Sequence, residues 1–171
     1  MTIPEIIDFL KLNWSEPAHT TKDHMESLFR FACSFTEGHP GLPENYPYNV
    51  PTEVKDFWAT ASTAELFQDV DYGQWGLEIL SPEESASRSE RDREYYPDFR
   101  SDELIIGRFR GDSEILIVSC GDDEYGTIRV GLPIDKYPDW PVVAKNFKEF
   151  LEKYAEADGN KYWEHHRARK G

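Results

Sequence analysis

The sequence predicts a single α+β domain: a twisted antiparallel β-sheet, arranged as a meander, with helices packed against it. Three observations lead to this fold class. The chain has 171 residues, the length of one domain, and 14% aromatic residues to fill a core. Three β-rich segments, "ELIIGRF", "EILIVSC" and "GTIRVGL", follow one another at hairpin spacing. The order of helices, then strands, then a helix is typical of α+β domains.

Two amphipathic helices are predicted near the N-terminus. The first covers "IPEIIDFLKLNW". The second starts at Thr20, whose spacing to Asp23 is that of a capping box, and is expected to continue as far as Phe35. Its apolar face follows helical spacing and comprises Met25, Leu28, Phe29, Ala32, Cys33 and Phe35.

A short helix and a strand pair are predicted next. An irregular connection at 37–51, with four prolines and two glycines, precedes the helix "TEVKDFWAT". This helix is expected to bury Val54, Phe57 and Trp58. The segment "AELFQDVDYGQWGLEIL" then predicts two strands around a glycine-containing turn at 71–76.

The fourth predicted helix has a clear start and a charged body. Ser81 can cap it, Pro82 suits its first position, and Glu84 has capping-box spacing. The following "SASRSERDRE" is so charged that one face must be solvated. Three aromatic residues are expected to anchor its far end to the core: Tyr95, Tyr96 and Phe99.

A final helix is predicted from Val142 to Tyr154, followed by a basic tail. The apolar face of this helix comprises Val143, Phe147, Phe150, Leu151 and Tyr154. The tail carries Lys161, Arg167, Arg169 and Lys170 in an otherwise acidic chain. Its charge would favour a contact with the acidic middle of the sequence.

The charge of the chain is strongly negative and unevenly placed. Of the net charge of −14, residues 65–124 carry −11, from 17 acidic residues and six arginines. This sign argues against binding to nucleic acid or to anionic membranes. An acidic surface either serves solubility or attracts a basic protein, and charge alone favours solubility by about two to one.

The expected cellular location rests on two features that the sequence lacks. No segment approaches the run of about 18 apolar residues that a membrane helix needs. The N-terminus has no basic start and no small-residue cleavage site, as a signal peptide would. We therefore expect a cytoplasmic protein. The two cysteines, Cys33 and Cys120, are then expected to be buried free thiols.

The segment "SCGDDEYGTIRVG" combines possible catalytic and metal-binding groups, yet it predicts a hairpin tip. Three adjacent acidic residues, Asp122, Asp123 and Glu124, do not have the alternating spacing of a calcium loop. Cys120 has no basic neighbour that would lower its pKa. Glycine and aspartate between two apolar runs favour a tight turn, with Tyr125 beside them.

Other catalytic and cofactor motifs are missing from the sequence. There is no nucleophile-elbow motif, no phosphate-binding loop and no dinucleotide-binding fingerprint. His165 and His166 are adjacent, so on a helix they would not share a face as metal ligands do. We therefore predict no enzyme activity, no metal and no cofactor.

The turn "DVDYGQWG" is a second candidate surface. It places Asp69 and Asp71 beside Tyr72 and Trp75, and tyrosine and tryptophan are favoured at protein interfaces. The alternative is that the two rings cover the edge of the sheet. The residues alone favour this alternative.

The order of these segments resembles the SUKH superfamily, in particular its Smi/Knr-like branch of bacterial proteins. The resemblance extends over residues 42–154, about two thirds of the chain. The fragments that carry it are "LP" at 42–43, "VPTEVKDFW", "ELF", "GLEILSPEE", "IIGRFRGDSEILIV", "YGTIRV" and "NFKEFLEKY". The sequence departs from the family in "TASTA" after the short helix, and "LPENYPYNVP" and "SASRSERDRE" are extended. These differences affect loop surfaces.

This resemblance implies an α+β domain without a catalytic site. Many relatives serve as immunity proteins that neutralise a polymorphic toxin, often a basic nuclease, and others are regulatory interaction modules linked to cell-wall assembly. The domain boundaries are then an N-terminal helical extension at 1–20, the family domain at 21–156 and the basic tail at 157–171.

The leading hypothesis is a cytoplasmic immunity protein that occludes a basic toxin domain. The alternatives are a regulatory scaffold with several weak partners and, third, an enzyme or ligand binder without a recognisable motif. The partner-binding residues are assigned by charge and expected exposure, together with the charged crossing after Ser81. They are Asp69, Asp71, Tyr72, Trp75, Asp122, Asp123, Glu124 and Tyr125.

Overall fold

A computed structural model describes residues 1–20, 29–39, 41–132 and 140–164. Within them the chain forms one antiparallel sheet of eight strands, whose spatial order is the order of the sequence. The strands are β1 (Ala18–His19), β2 (Arg30–Glu37), β3 (Ala61–Asp69), β4 (Leu77–Ile79), β5 (Glu103–Phe109), β6 (Ile115–Ser119), β7 (Ile128–Gly131) and β8 (Val142–Ala144). The predicted single α+β domain with a meander is therefore confirmed.

Helices cover both faces of the sheet. They are α1 (Ile3–Trp14), α2 (Thr52–Thr60), α3 (Pro82–Tyr95) and α4 (Phe147–Glu156). The larger core lies between one face and α1, α2 and α4. A smaller apolar cluster lies on the opposite face, where α3 contacts β5. Neighbouring residues on the strands alternate between these faces, so that Leu104 joins the larger cluster and Ile105 the smaller one.

The third helix begins as predicted. The Ser81 hydroxyl accepts the Glu84 N–H at 3.2 Å, and Pro82 occupies the first turn. The helix turns two small residues, Ser85 and Ser89, toward the sheet, so no large apolar stripe is needed. Of the three expected anchors, Phe99 is buried and Tyr96 packs on the small cluster, whereas Tyr95 is 73% exposed.

The predicted second helix is wrong where the structure describes it. Residues 30–37 form β2, and residues 21–28 lie outside the described residues. Phe31 and Cys33 are buried on alternate positions, and Phe35 packs against the same core. Their spacing of two suits a strand, and β2 pairs antiparallel with β3 from Phe31 to Glu37. The same apolar positions fit a helix or a strand, and pairing with β3 selects the strand.

The final helix begins later than predicted. Residues 142–144 form β8 against β7, and α4 starts at Phe147. The Asn146 side chain accepts the Glu149 N–H at 2.8 Å, while the Glu149 carboxylate accepts the Lys145 N–H at 2.6 Å. This reciprocal cap fixes the start of the helix.

Both cysteines are buried free thiols, as predicted. Cys33 lies on β2, not on the expected helix, and its sulfur accepts the Phe67 N–H at 3.3 Å. Burial raises the pKa of the Cys33 and Cys120 thiols to about 12. Both therefore stay protonated at neutral pH.

Replacing Ser89 by alanine tests how α3 is attached to the sheet. The Ser89 hydroxyl donates to the Ser85 carbonyl at 2.7 Å and accepts the Ile105 N–H at 2.8 Å, and all these groups are buried. Ser89→Ala leaves that buried N–H without its partner, which should lower the free energy of unfolding by about 1–3 kcal/mol in urea titrations. Ser87→Ala, on the exposed face of the same helix, should change it by less than about 0.5 kcal/mol. Equal effects of the two variants would refute this attachment.

Candidate functional site

Successive connections of the meander lie at opposite ends of the sheet. The turns after β3 and after β5 meet at one end, where the Arg110 N–H donates to the Gly76 carbonyl at 2.8 Å. The connections before β5 and after β6 meet at the other end, where the Cys120 N–H donates to the Asp102 carbonyl at 2.8 Å. We call these the β3–β4 end and the β6–β7 end.

The structure separates the predicted partner-binding residues into two groups. One group lies at the β3–β4 end: Asp69, Asp71, Tyr72 and Trp75. The other lies at the β6–β7 end: Asp122, Asp123, Glu124 and Tyr125. The length of the strands lies between them, so the two groups do not form one surface.

Both acidic residues at the β3–β4 end are engaged within the fold. Asp69 is 1% exposed, and its carboxylate accepts the N–H groups of Asp71 at 2.9 Å and Tyr72 at 3.0 Å. It therefore closes the turn. Asp71 forms an ion pair with Arg30 at 2.8 Å, which holds the pKa of the Asp71 carboxyl below its usual value.

The two aromatic residues of this turn differ in exposure. The Trp75 ring is half-buried, its N–H donates to the Gly159 carbonyl at 3.2 Å, and the Lys161 ammonium lies 4.9 Å from its centroid. Tyr72 is 68% exposed and contacts Phe29 edge to face at 5.2 Å. Trp75 therefore covers the sheet end, and Tyr72 is the side chain here with most free surface.

The "SCGDDEYGTIRVG" segment forms the predicted hairpin tip. Strands β6 and β7 pair on either side of it, and the Gly126 N–H donates to the Ser119 carbonyl at 2.8 Å. Glu124 and Gly126 have left-handed backbone angles, φ 57° and 86°, that tighten the reversal. Among the described residues, no three His, Cys, Asp or Glu side chains are grouped so that they could hold a metal ion.

Helix α3 carries an exposed acidic stripe. Glu83, Glu90 and Glu94 are exposed and spaced by seven and four residues, so they share one face of the helix. That face points away from the two serines that contact the sheet. None of the three glutamates forms an ion pair with another described residue.

The stripe and the hairpin tip adjoin through Tyr46. The Tyr46 hydroxyl donates to the Pro82 carbonyl at the start of α3, at 2.7 Å. Burial raises the pKa of Tyr46, and nearby Cys120, Glu83 and Glu90 raise it further. Since Cys120 begins the tip and Pro82 begins α3, the start of the stripe and the tip both lie at the β6–β7 end. We call this surface the acidic face: Glu83, Glu90, Glu94, Asp122, Asp123 and Glu124.

The arginines of the acidic middle segment are engaged in internal contacts. Five of the six bind within the fold at distances from 2.6 to 3.1 Å: Arg88 to Asp92, Arg93 to the carbonyls of Arg100 and Glu103, Arg100 to Asp102, Arg108 to Glu78, and Arg110 to Glu65. The sixth, Arg91, is 3.9 Å from Asp92. Most of these contacts are with groups outside the acidic face, although Arg100 also lies 4.0 Å from Asp123.

Sequence analysis named the tip residues of this surface individually, but not the glutamates of α3. The tip residues were predicted as partner-binding residues, whereas the α3 glutamates were included only as part of a charged crossing. The spacing of Glu83, Glu90 and Glu94 on a predicted helix was the signal that could have identified them.

The chain belongs to the SMI1/KNR4 family (SUKH-1), whose family model matches residues 42–153. The predicted family resemblance is therefore confirmed. Members of this family are generally non-catalytic protein-binding domains. A search of curated proteins finds no match to this chain.

In the described part of the chain, no helix combines the length and the apolar character that crossing a bilayer requires.

Proposed function

We propose that this chain is a cytoplasmic immunity protein that binds a basic toxin domain through the acidic face and blocks it. The observation that carries this proposal is the acidic face itself. Glu83, Glu90 and Asp122 are exposed and form no ion pair with the described residues, although six arginines lie in the same segment. Their charge is available to a partner.

The chemistry of a basic toxin suits this surface. A nuclease must bind phosphate and therefore carries a basic active site. Opposite charges raise the rate of encounter and fix the orientation of the complex. A protein seated over such an active site would exclude the nucleic acid by occupying its place.

The acidic face also has the size and side chains of an interface. The stripe from Glu83 to Glu94 runs along about 16 Å of α3. Tyr125 at the tip is 46% exposed and Tyr95 at the end of α3 is 73% exposed. Partly exposed tyrosines at the border of a charged surface supply the aromatic contacts that carry much of the affinity in interfaces.

A capture experiment would identify the partner. The tagged protein would be expressed in its own host, washed at graded salt, and its bound proteins identified by mass spectrometry. We expect one stoichiometric basic protein that is released as salt rises. An empty eluate, with the toxin genes shown to be expressed, would contradict the immunity proposal.

A charge-matched pair of variants would then locate the binding surface. Removing three charges from the acidic face, by Glu83→Gln, Glu90→Gln and Asp122→Asn, should slow association with the captured partner by about 10- to 100-fold at low salt, because electrostatic steering is lost. The effect should fade as ionic strength increases.

The control removes three exposed charges elsewhere: Asp8→Asn, Glu16→Gln and Glu156→Gln. These positions lie on or beside α1 and α4, which pack on the opposite face of the sheet. The control should change the association rate less than about threefold. Equal slowing by both triple variants would mean that net charge, and not the acidic face, governs binding.

A regulatory scaffold of the cell-wall-regulator type is the second candidate. The separation of exposed Tyr72 at the β3–β4 end from the acidic face at the β6–β7 end favours it, because two surfaces can hold two partners. Several substoichiometric partners with micromolar affinity would support the scaffold, whereas one tight partner supports immunity.

A further inference from the structure

A buried carboxyl group lies beneath the hairpin tip. Glu103 begins β5 and is 1% exposed. Neither of its carboxylate oxygens forms a hydrogen bond with any described residue. Buried carboxylates are normally paired and hydrogen-bonded, because burial of an unpartnered charge is costly. A buried carboxylate without hydrogen bonds takes up a proton more readily than an exposed one.

Arg129 connects this buried group to the acidic face. It lies on β7, and its side chain is 13% exposed. One guanidinium nitrogen, Nη1, is 3.9 Å from Glu103 Oε1, and the other, Nη2, binds the Glu124 carboxylate at the tip. One arginine is therefore shared between a buried carboxyl and an exposed one.

Four other charged side chains act on Glu103: Arg129, Arg100, Asp102 and Glu124. Burial is the main cause that raises the pKa of Glu103, to about 7. Asp102 and Glu124 raise it further, while Arg129 and Arg100 oppose the rise. From α3, Arg93 donates to the Glu103 main-chain carbonyl, and Cys120 is a protonated thiol nearby.

We propose that Glu103 controls the charge of the hairpin tip through Arg129, so that the acidic face binds a basic partner more strongly when Glu103 is ionised. When Glu103 is protonated, Arg129 and Glu124 form a pair without net charge. When Glu103 has released its proton to solvent, two carboxylates share one arginine, and the group carries one net negative charge. The inference rests on the proposed function for its partner and on this contact geometry for its coupling.

The direction of the pH dependence follows from this charge count. Affinity for a basic partner should rise as pH increases from 6 to 8, because Glu103 loses its proton in that range. By linkage, a bound basic partner lowers the pKa of Glu103 and releases a proton. We expect one additional negative charge at the hairpin tip to change the affinity for a basic partner about three- to tenfold.

The coupling can be tested on the full chain alone. Carboxyl ¹³C and amide NMR titrations should show Glu103 titrating near pH 7, with the Glu124 and Gly126 amides shifting at the same midpoint. Glu103→Gln should abolish that midpoint at the tip. Glu53→Gln, a charge removal on α2 at the same end of the sheet, should leave it in place. A Glu103 midpoint near 4.5, or tip amides that do not follow it, would overturn the coupling.

The effect on binding can be tested with an octa-arginine peptide at constant ionic strength. The protein should bind this peptide about three- to tenfold more tightly at pH 8 than at pH 6, and Glu103→Gln should show a clearly smaller pH dependence. If the NMR coupling is present and the peptide binds with no pH dependence, control of binding by Glu103 is refuted. If the peptide does not bind at either pH while a basic partner is captured from the host, the proposed function stands, and equal affinity of that partner at pH 6 and pH 8 would refute control of binding by Glu103. Absence of both peptide binding and a captured partner contradicts the proposed function itself.

Discussion

Replacing Lys161 by methionine should lower the free energy of unfolding by about 3–5 kcal/mol, because the change leaves a buried charge without its partner. The Lys161 side chain is 4% exposed, and its ammonium donates to the Glu114 carboxylate at 2.9 Å and to Asp112. It also lies 4.9 Å from the Trp75 ring and 5.1 Å from the Phe109 ring.

The pH dependence of this loss has a definite sign. Burial already raises the pKa of Glu114, and Lys161 opposes that rise. Without Lys161 the pKa of Glu114 rises further, so the group takes up a proton more readily as pH falls. The destabilisation by Lys161→Met should therefore be largest at pH 7 and smaller at pH 5, as measured by urea unfolding at each pH.

Two further variants complete this test. Lys161→Met combined with Glu114→Gln removes both charges and should recover part of the lost stability. Lys148→Met, at a position on α4 that is 44% exposed, should change stability by less than about 0.5 kcal/mol. A loss below about 1 kcal/mol for Lys161→Met would show that the buried ion pair does not stabilise the fold.

Replacing Trp163 by alanine should cost about 3–5 kcal/mol of unfolding free energy, the usual cost of removing a large buried aromatic side chain. Trp163 is 6% exposed, and its ring lies 5.6 Å from Phe109 and 6.2 Å from Phe150. Far-UV circular dichroism in urea would measure the change without depending on tryptophan fluorescence. The matched control is Tyr95→Ala, at an aromatic residue that is 73% exposed, and it should have little effect. Similar losses for the two variants would contradict the role of Trp163 in the core.

Both positions lie in the segment that sequence analysis assigned to a basic tail. The structure places residues 158–164 against the β3–β4 end: the Thr20 hydroxyl donates to Asp158 at 2.9 Å, and Trp75 donates to the Gly159 carbonyl. We therefore propose that the folded domain extends through Trp163, ten residues beyond the family match. The tail residues 165–171 lie outside the described residues.

The sequence by itself determined the meander and most of the elements around it. Short β-rich apolar runs with glycine and aspartate between them predict β5, β6 and β7, because strand propensity and turn chemistry are local properties. The start of α3 was predicted for the same reason, since Ser81, Pro82 and Glu84 act within one helical turn. The family was also identified from the order of these fragments.

Tertiary structure decided the identity of β2 and the composition of the acidic face. The apolar positions of 29–35 fit a helix or a strand, and only pairing with β3, more than 25 residues away, selects the strand. Likewise, the sequence shows how many charges the chain has but not which of them pair. Arg110 binds Glu65, which lies 45 residues away in the sequence. The Asp69 carboxylate accepts a main-chain N–H of its own turn. Which charges stay unpaired therefore depends on contacts that only the folded structure brings together.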